Sequence, residues 1–260
     1  MKKFIVNICF FCLITANIYG QADRSRPAIY FNGDTNHFDK SVSFLWPEES
    51  EVFRLRHVDG KYLNIIDLLV QEIERYPDIY WQSFNILPSI YLVTNLSLDG
   101  GRVGGVHLGY DIVICLANSI STPPVVQFDA YIKDDYIFFA TTDLLRAFHY
   151  ELHHFAEAFK MSASFKNNWV SSFSSQDNID YVIGPIPEPI EDRARMMEFF
   201  MISPLENMSG DQYVAYSLSE KRRQGHNELT AKYYRLFEWY RDTFNWFWPL
   251  DTLTRAILGF

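Results

Sequence analysis

Apolar residues recur at Leu63, Ile65, Ile66, Leu69, Val70 and Ile73, and the run ends just before Pro77. That spacing predicts one helix over 62–76. Two unbroken apolar runs follow, 90–94 and 111–116, with Gly100, Gly101, Gly104 and Gly105 between them. The runs read as strands and the glycines as a loop or bulge. A third apolar run, 136–140, leads into Thr141-Thr142-Asp143, a favourable helix start, so a helix is expected from there to about Lys160. Residues 21–60 read as an irregular lead-in, with Phe31-Asn32-Gly33-Asp34 and His57-Val58-Asp59-Gly60 as turn signals. The stretch 165–190, rich in Ser, Asn and Pro, reads as a long connection. A second helix is expected over 191–202, with Pro189 near its start. The strongly aromatic segment 227–258 reads as one or two packing helices broken at Pro249. The pattern therefore predicts an α+β fold: a small mixed sheet packed on a central helix, followed by further C-terminal helices.

The first twenty residues change the picture of where the chain works. Met1-Lys2-Lys3 precedes an apolar run and then small residues, the layout of a secretory signal peptide cut after Ala16 or Gly20. Asn7 and Asn17 interrupt the run, which is too short to span a bilayer, so no integral membrane segment is expected in the mature chain. The organisation is then a signal peptide (1–20), the lead-in (21–60) and a single domain (61–260), in a periplasmic or extracellular setting. Cleavage takes away two lysines and no acids, so a net charge of −9 becomes −11. Such a surface repels phosphate backbones and argues against nucleic acid as a partner. Cys9 and Cys12 leave with the leader, and Cys115, inside an apolar run, is expected to be a buried thiol.

Candidate chemistry concentrates at His149-Tyr150-Glu151-Leu152-His153-His154. The stretch is one substitution from H-E-x-x-H, which sets two histidine zinc ligands one helical turn apart with a general-base glutamate beside the first. Glu151 and His154 occupy their motif places, whereas Tyr150 stands where the first histidine belongs. A second frame uses His149 and His153, also four residues apart. Phe148, Leu152, Phe155 and Phe159 fall within about 60° of one another at roughly 100° per residue and define the core face. Tyr150 and His154 project opposite that stripe, with His149 and His153 on its flank. The geometry favours the Tyr150/His154 frame, which also keeps Glu151 at the site. Glu191-Asp192-Arg193-Ala194-Arg195, opening the second helix, is the strongest source of a third metal ligand. Plainer readings stand beside these: surface histidines, an acidic pair favoured by a helix dipole, and an Arg195–Glu191 ion pair.

In its order of strand, Gly-rich loop, strand, Tyr-Glu-Leu-His-His helix and Glu-Asp-Arg-Ala helix, the chain resembles a zincin-like metallopeptidase of the glutamate-zincin type. The resemblance covers about residues 60–205, rests on two short motifs, and points to secreted bacterial members. It implies a zincin-like fold, a bound zinc and hydrolysis of a peptide or protein substrate. Glu151 would be the general base, His154 a zinc ligand and Glu191 the third ligand; the other frame offers His149 and His153. The strand over 111–116 would hold an extended peptide by edge pairing, and Tyr150 or Tyr181 would steady the oxyanion. Tyr150 is the departure, because a phenol ordinarily keeps its proton to about pH 10 and must lose it to bind metal. Three readings follow: a zinc peptidase with altered ligands, a peptidase-like protein that binds a peptide or protein without catalysis, and an exported structural protein.

Overall fold

The computed structural model describes residues 18–19, 25–48, 55–56, 62–63, 65–119, 130–133, 136–139, 141–173, 188–203, 205, 207–225 and 227–245. The expected leader, apart from 18–19, lies outside them, as do Tyr181, the turn at 57–60 and the segment beyond Asn245.

Eleven strands are present among the described residues. They are β1 (Ile18–Tyr19), β2 (Ala28–Tyr30), β3 (Val42–Leu45), β4 (Leu55–Arg56), β5 (Tyr62–Leu63), β6 (Ser89–Leu98), β7 (Gly101–Arg102), β8 (Gly105–Leu108), β9 (Asp111–Ser119), β10 (Ala130–Lys133) and β11 (Tyr136–Phe139). Nine form one mixed sheet in the order β1-β2-β6-β9-β11-β10, with β3 and β7 on β6 and β8 on β9. The β2–β6 and β6–β9 pairs are parallel and the others antiparallel. Ile112 to Ala117 of β9 are all buried, which explains why this central strand reads as a continuous apolar run instead of an alternating one. Cys115 lies there, wholly buried, and burial pushes its thiol up to about 11.

Seven helices accompany the sheet among the described residues: α1 (Ile65–Glu74), α2 (Asp78–Gln82), α3 (Thr141–Lys160), α4 (Ala163–Ser172), α5 (Pro189–Met201), α6 (Gly210–Arg223) and α7 (Glu228–Phe244). Helix α3 packs against β8 and β9, α5 packs along α3, and α6 packs on α5 and α7. None of these helices is long and apolar enough to cross a membrane. The fold is α+β, with a mixed sheet and a helical layer, as the hydrophobic pattern implies.

The differences are local and have physical causes. The glycine-rich stretch is not a loop but two tight hairpins. Asp99 and Gly100 both take positive φ (50° and 79°), the pairing that a two-residue type I′ turn between β6 and β7 demands. Gly109 (φ 62°) turns β8 into β9. The lead-in contributes β2 and β3 to the sheet, and its Phe38 and Trp46 gather around Tyr91 of β6. Helix α4 occupies the start of the expected 165–190 connection, with the Ser162 side chain accepting the Phe165 N–H at 3.2 Å as its cap. Helix α6 begins with a capping box in which Gln212 accepts the Ser209 N–H at 3.0 Å.

Candidate functional site

Helix α3 buries Leu144, Phe148, Leu152 and Phe155, as its apolar stripe predicts. Phe159 departs from the stripe: it is 40% exposed and stacks on Tyr110 of the β8–β9 turn at 4.7 Å. Near the sheet end of the stripe, the side chains of interest separate into two groups.

His149 and His153 form the first group and are almost wholly buried. His149 Nδ1 meets the Tyr76 hydroxyl at 2.8 Å, and its Nε2 meets Glu72 at 2.8 Å. His153 Nδ1 meets the Tyr240 hydroxyl at 2.8 Å, and its Nε2 lies 3.5 Å from Glu157. A carboxylate only accepts, so His149 Nε2 carries the proton and its Nδ1 accepts from tyrosine. Burial pulls both imidazoles below their usual range, against the neighbouring carboxylates. These histidines tie α3 to α1 and α7; both ring nitrogens of His149 are bonded, whereas His153 is bonded through Nδ1 alone.

The second group surrounds Tyr150. Its ring meets His154 edge-on at 4.8 Å. His154 Nε2 lies 3.8 Å from Glu191 Oε1, so the two helices do bring that predicted pair together. Burial takes His154 down to about 3, leaving it neutral at ordinary pH. Glu191 sits in the first turn of α5, behind Pro189, where the helix dipole favours an acid. Burial raises its carboxyl and Arg195 draws it back. Asp192 turns away from this corner to a buried ion pair with Lys232 of α7 at 2.9 Å.

Glu151 is 5% exposed and packs beneath β8. The Cys115 N–H bonds to Gly104 at 2.8 Å, and the register continues through Gly105↔Ile114 and His107↔Ile112. Antiparallel alternation then turns the peptide groups of Gly105 and His107 toward the outer edge of β8. The Glu151 carboxyl lies against this strand, its Oε1 3.0 Å from where a Cβ on Gly105 would stand. Burial, with the Glu198 charge adding to it, pushes Glu151 up to about 8, so the expected base holds its proton at neutral pH. Strand β9, expected to be the docking edge, is interior: β6 flanks it on one side and β8 and β11 on the other. Among the described residues, β8 pairs with no strand on its outer side.

Two residues outside the expected site set, His107 and Arg195, complete the corner. His107 of β8 packs its ring edge-on to Phe155 at 5.9 Å, and its Nε2 lies 2.8 Å from the Gly109 carbonyl. Its position in a glycine-rich stretch gave no local signal. Arg195 had a signal, its place four residues after Glu191, but a different role. Its guanidinium lies 4.9 Å over the Tyr150 ring and 5.8 Å over Phe199, and it pairs with buried Glu198. Arg146 holds the same Glu198 at 2.9 Å.

A catalytic zinc takes three protein ligands at about 2.0–2.3 Å. His154 and Glu191 are two suitable donors, and the phenol of the third position lies under a guanidinium. Among the described residues no group of three or more His, Cys, Asp or Glu is placed to hold a metal ion. This donor set does not fit a three-ligand zinc centre. Compared with protein-family models, curated proteins and solved structures, the chain matches none of them.

Proposed function

We propose that the chain is an exported zincin-like protein that binds an extended peptide or protein segment along the outer edge of β8, without zinc-dependent hydrolysis. The observation that carries the reading is the outer edge of β8, which pairs with no strand among the described residues and turns the peptide groups of Gly105 and His107 outward. An added strand would accept from those outward N–H groups and donate to the outward carbonyls. Nearby His154 is neutral and Glu151 protonated, which lets the edge meet a peptide without burying a fresh charge. The scaffold part of the reading draws support from the mixed sheet, the α3 helix against its edge and the α5 helix that brings Glu191 to His154.

The test is fluorescence anisotropy with a pool of unstructured peptides, with and without a zinc chelator. His107→Pro removes the outward N–H but no bond of the β8–β9 ladder, so the fold should survive. Binding by the wild type, insensitive to chelator and weakened at least about tenfold in His107→Pro, is the expected result. Unchanged binding in that variant, or no binding at all, would sink the proposal. Chelator-sensitive cleavage of the peptides would instead support the zinc peptidase, the reading favoured by the 3.8 Å approach of His154 to Glu191.

A further inference from the structure

We infer that Tyr150 and Arg195 act as one unit that replaces a divalent cation at this corner, the guanidinium supplying the positive charge and the phenol ring its seat. The inference rests on the zincin-like reading above and deepens it by naming the residues that remove the metal.

Glu198 is 2% exposed and contacts both Arg195 and Arg146, so two cations serve one buried carboxylate. The Arg195 guanidinium stands on the Tyr150 ring, which touches His154, itself 3.8 Å from Glu191, so its positive charge lies beside the two donors a divalent ion would use.

Tyr150 explains why the guanidinium stays there. Its ring offers a face at 4.9 Å, an attractive cation–π distance, and Phe199 offers a second at 5.8 Å. An imidazole at 150 would supply a metal donor and a smaller, weaker face. The two positions are thus coupled: the aromatic residue that removes a ligand also seats the cation that repels a metal. Restoring the ligand alone leaves a positive charge beside the vacated position, and removing the charge alone leaves only two good donors.

This coupling sets a specific pattern for zinc titration by calorimetry, with metal content checked on the gel-filtered full chain. Wild type and Arg195→Met should bind no stoichiometric zinc, and Tyr150→His should bind weakly. Tyr150→His with Arg195→Met should bind one zinc per chain, at least about 100-fold more tightly than Tyr150→His alone, a step at the upper end of what one neighbouring residue contributes to metal affinity. Tyr150→His with Arg195→Lys keeps the charge and should show no such gain. Arg146 still holds Glu198 when Arg195 is replaced, so the buried carboxylate is not orphaned. Arg195→Gln serves as a second neutral replacement, with folding of every variant checked by circular dichroism. Stoichiometric zinc in the wild type, equal affinity with methionine or lysine at 195, or no gain in either neutral double variant would overturn the inference. Peptide anisotropy on the same samples separates the two ideas: loss of metal coupling leaves the His107→Pro result intact, and the reverse also holds.

Discussion

His149 and His153, one turn apart on α3, each meet a tyrosine hydroxyl through Nδ1, and each has a glutamate beside Nε2, bonded at 2.8 Å in His149 and 3.5 Å away in His153. Tyr76 and Glu72 come from α1 and its C-terminal end, Tyr240 from α7, and Glu157 from α3 itself. Each ring is neutral and spans two elements, so protonation would put a buried charge into a hydrogen-bond chain built for the neutral form.

The pH consequence has a definite sign. Both histidines are depressed below their ordinary 6.5, so the unfolded chain takes up protons first as pH falls. Their contribution to stability is complete above about pH 6.5 and is lost below it, at up to about 1.4 kcal/mol per pH unit for each ring. Urea midpoints measured from pH 7.5 to 5 should therefore fall more steeply for wild type than for His149→Gln or His153→Gln. Ring nitrogen shifts in NMR should show both rings neutral at pH 7.5, with His149 as the Nε2–H tautomer. A charged ring at that pH would refute the assignment.

Arg193 grips Glu157 through Nε at 2.9 Å and Nη2 at 2.6 Å, and both residues are almost fully buried. Burial alone would raise the Glu157 carboxyl, but the nearby His153 and the two bonds from Arg193 outweigh it and bring the group to about 2. Its share of stability is thus present above its ordinary 4.5 and is lost as pH falls toward 2. Glu157→Gln strands the Arg193 guanidinium and should cost about 3–5 kcal/mol. Glu157→Leu with Arg193→Met removes both charges and should cost far less, read as a higher melting temperature than the single variant.

How much of this was legible in the sequence depends on how local each signal is. Helix α3 was readable because Phe148, Leu152 and Phe155 repeat at helical spacing and are all buried. Strand β8 was hidden, because two-residue turns on glycine split a short strand from the run it pairs with. Helix α4 buries only Trp169 strongly, so its apolar pattern is faint. At the site, motif spacing led to Glu191 and His154, which do approach each other. It could not assign His149, whose partners lie 73 and 77 residues away along the chain. Nor could it place Arg195 on Tyr150, a contact made only when α5 packs along α3.

Glu151 titrates in the opposite direction from the histidines. Its folded value of about 8 lies above the ordinary 4.5, so the folded chain keeps a proton that the unfolded chain gives up. Stability from this group is present below about pH 4.5 and is lost as pH rises through 8. Glu151→Gln keeps the shape without the ionisation and should be more stable than wild type at pH 8.5, with the advantage gone at pH 5. Equal urea midpoints at both values would mean that the carboxyl ionises freely and is not confined beneath β8.

The contact between Glu151 and β8 can be probed from the strand side. A Cβ at Gly105 would lie 2.9 Å from Glu151 Cγ, 3.0 Å from its Oε1 and 3.3 Å from the Val113 carbonyl. Gly105 does not adopt positive φ, so any objection to alanine is one of space alone. Gly105→Ala should destabilise the protein by about 1–3 kcal/mol, the range for overpacking a filled site. In a Glu151→Ala background the obstacle is gone, and the cost should shrink by at least about 1 kcal/mol, the coupling expected of residues in contact. An equal cost in both backgrounds would assign the clash to Val113 and detach Glu151 from the edge of the sheet. A reduced cost, joined to tighter peptide binding in Gly105→Ala, would mean that displacing this carboxyl is what opens the edge to a ligand.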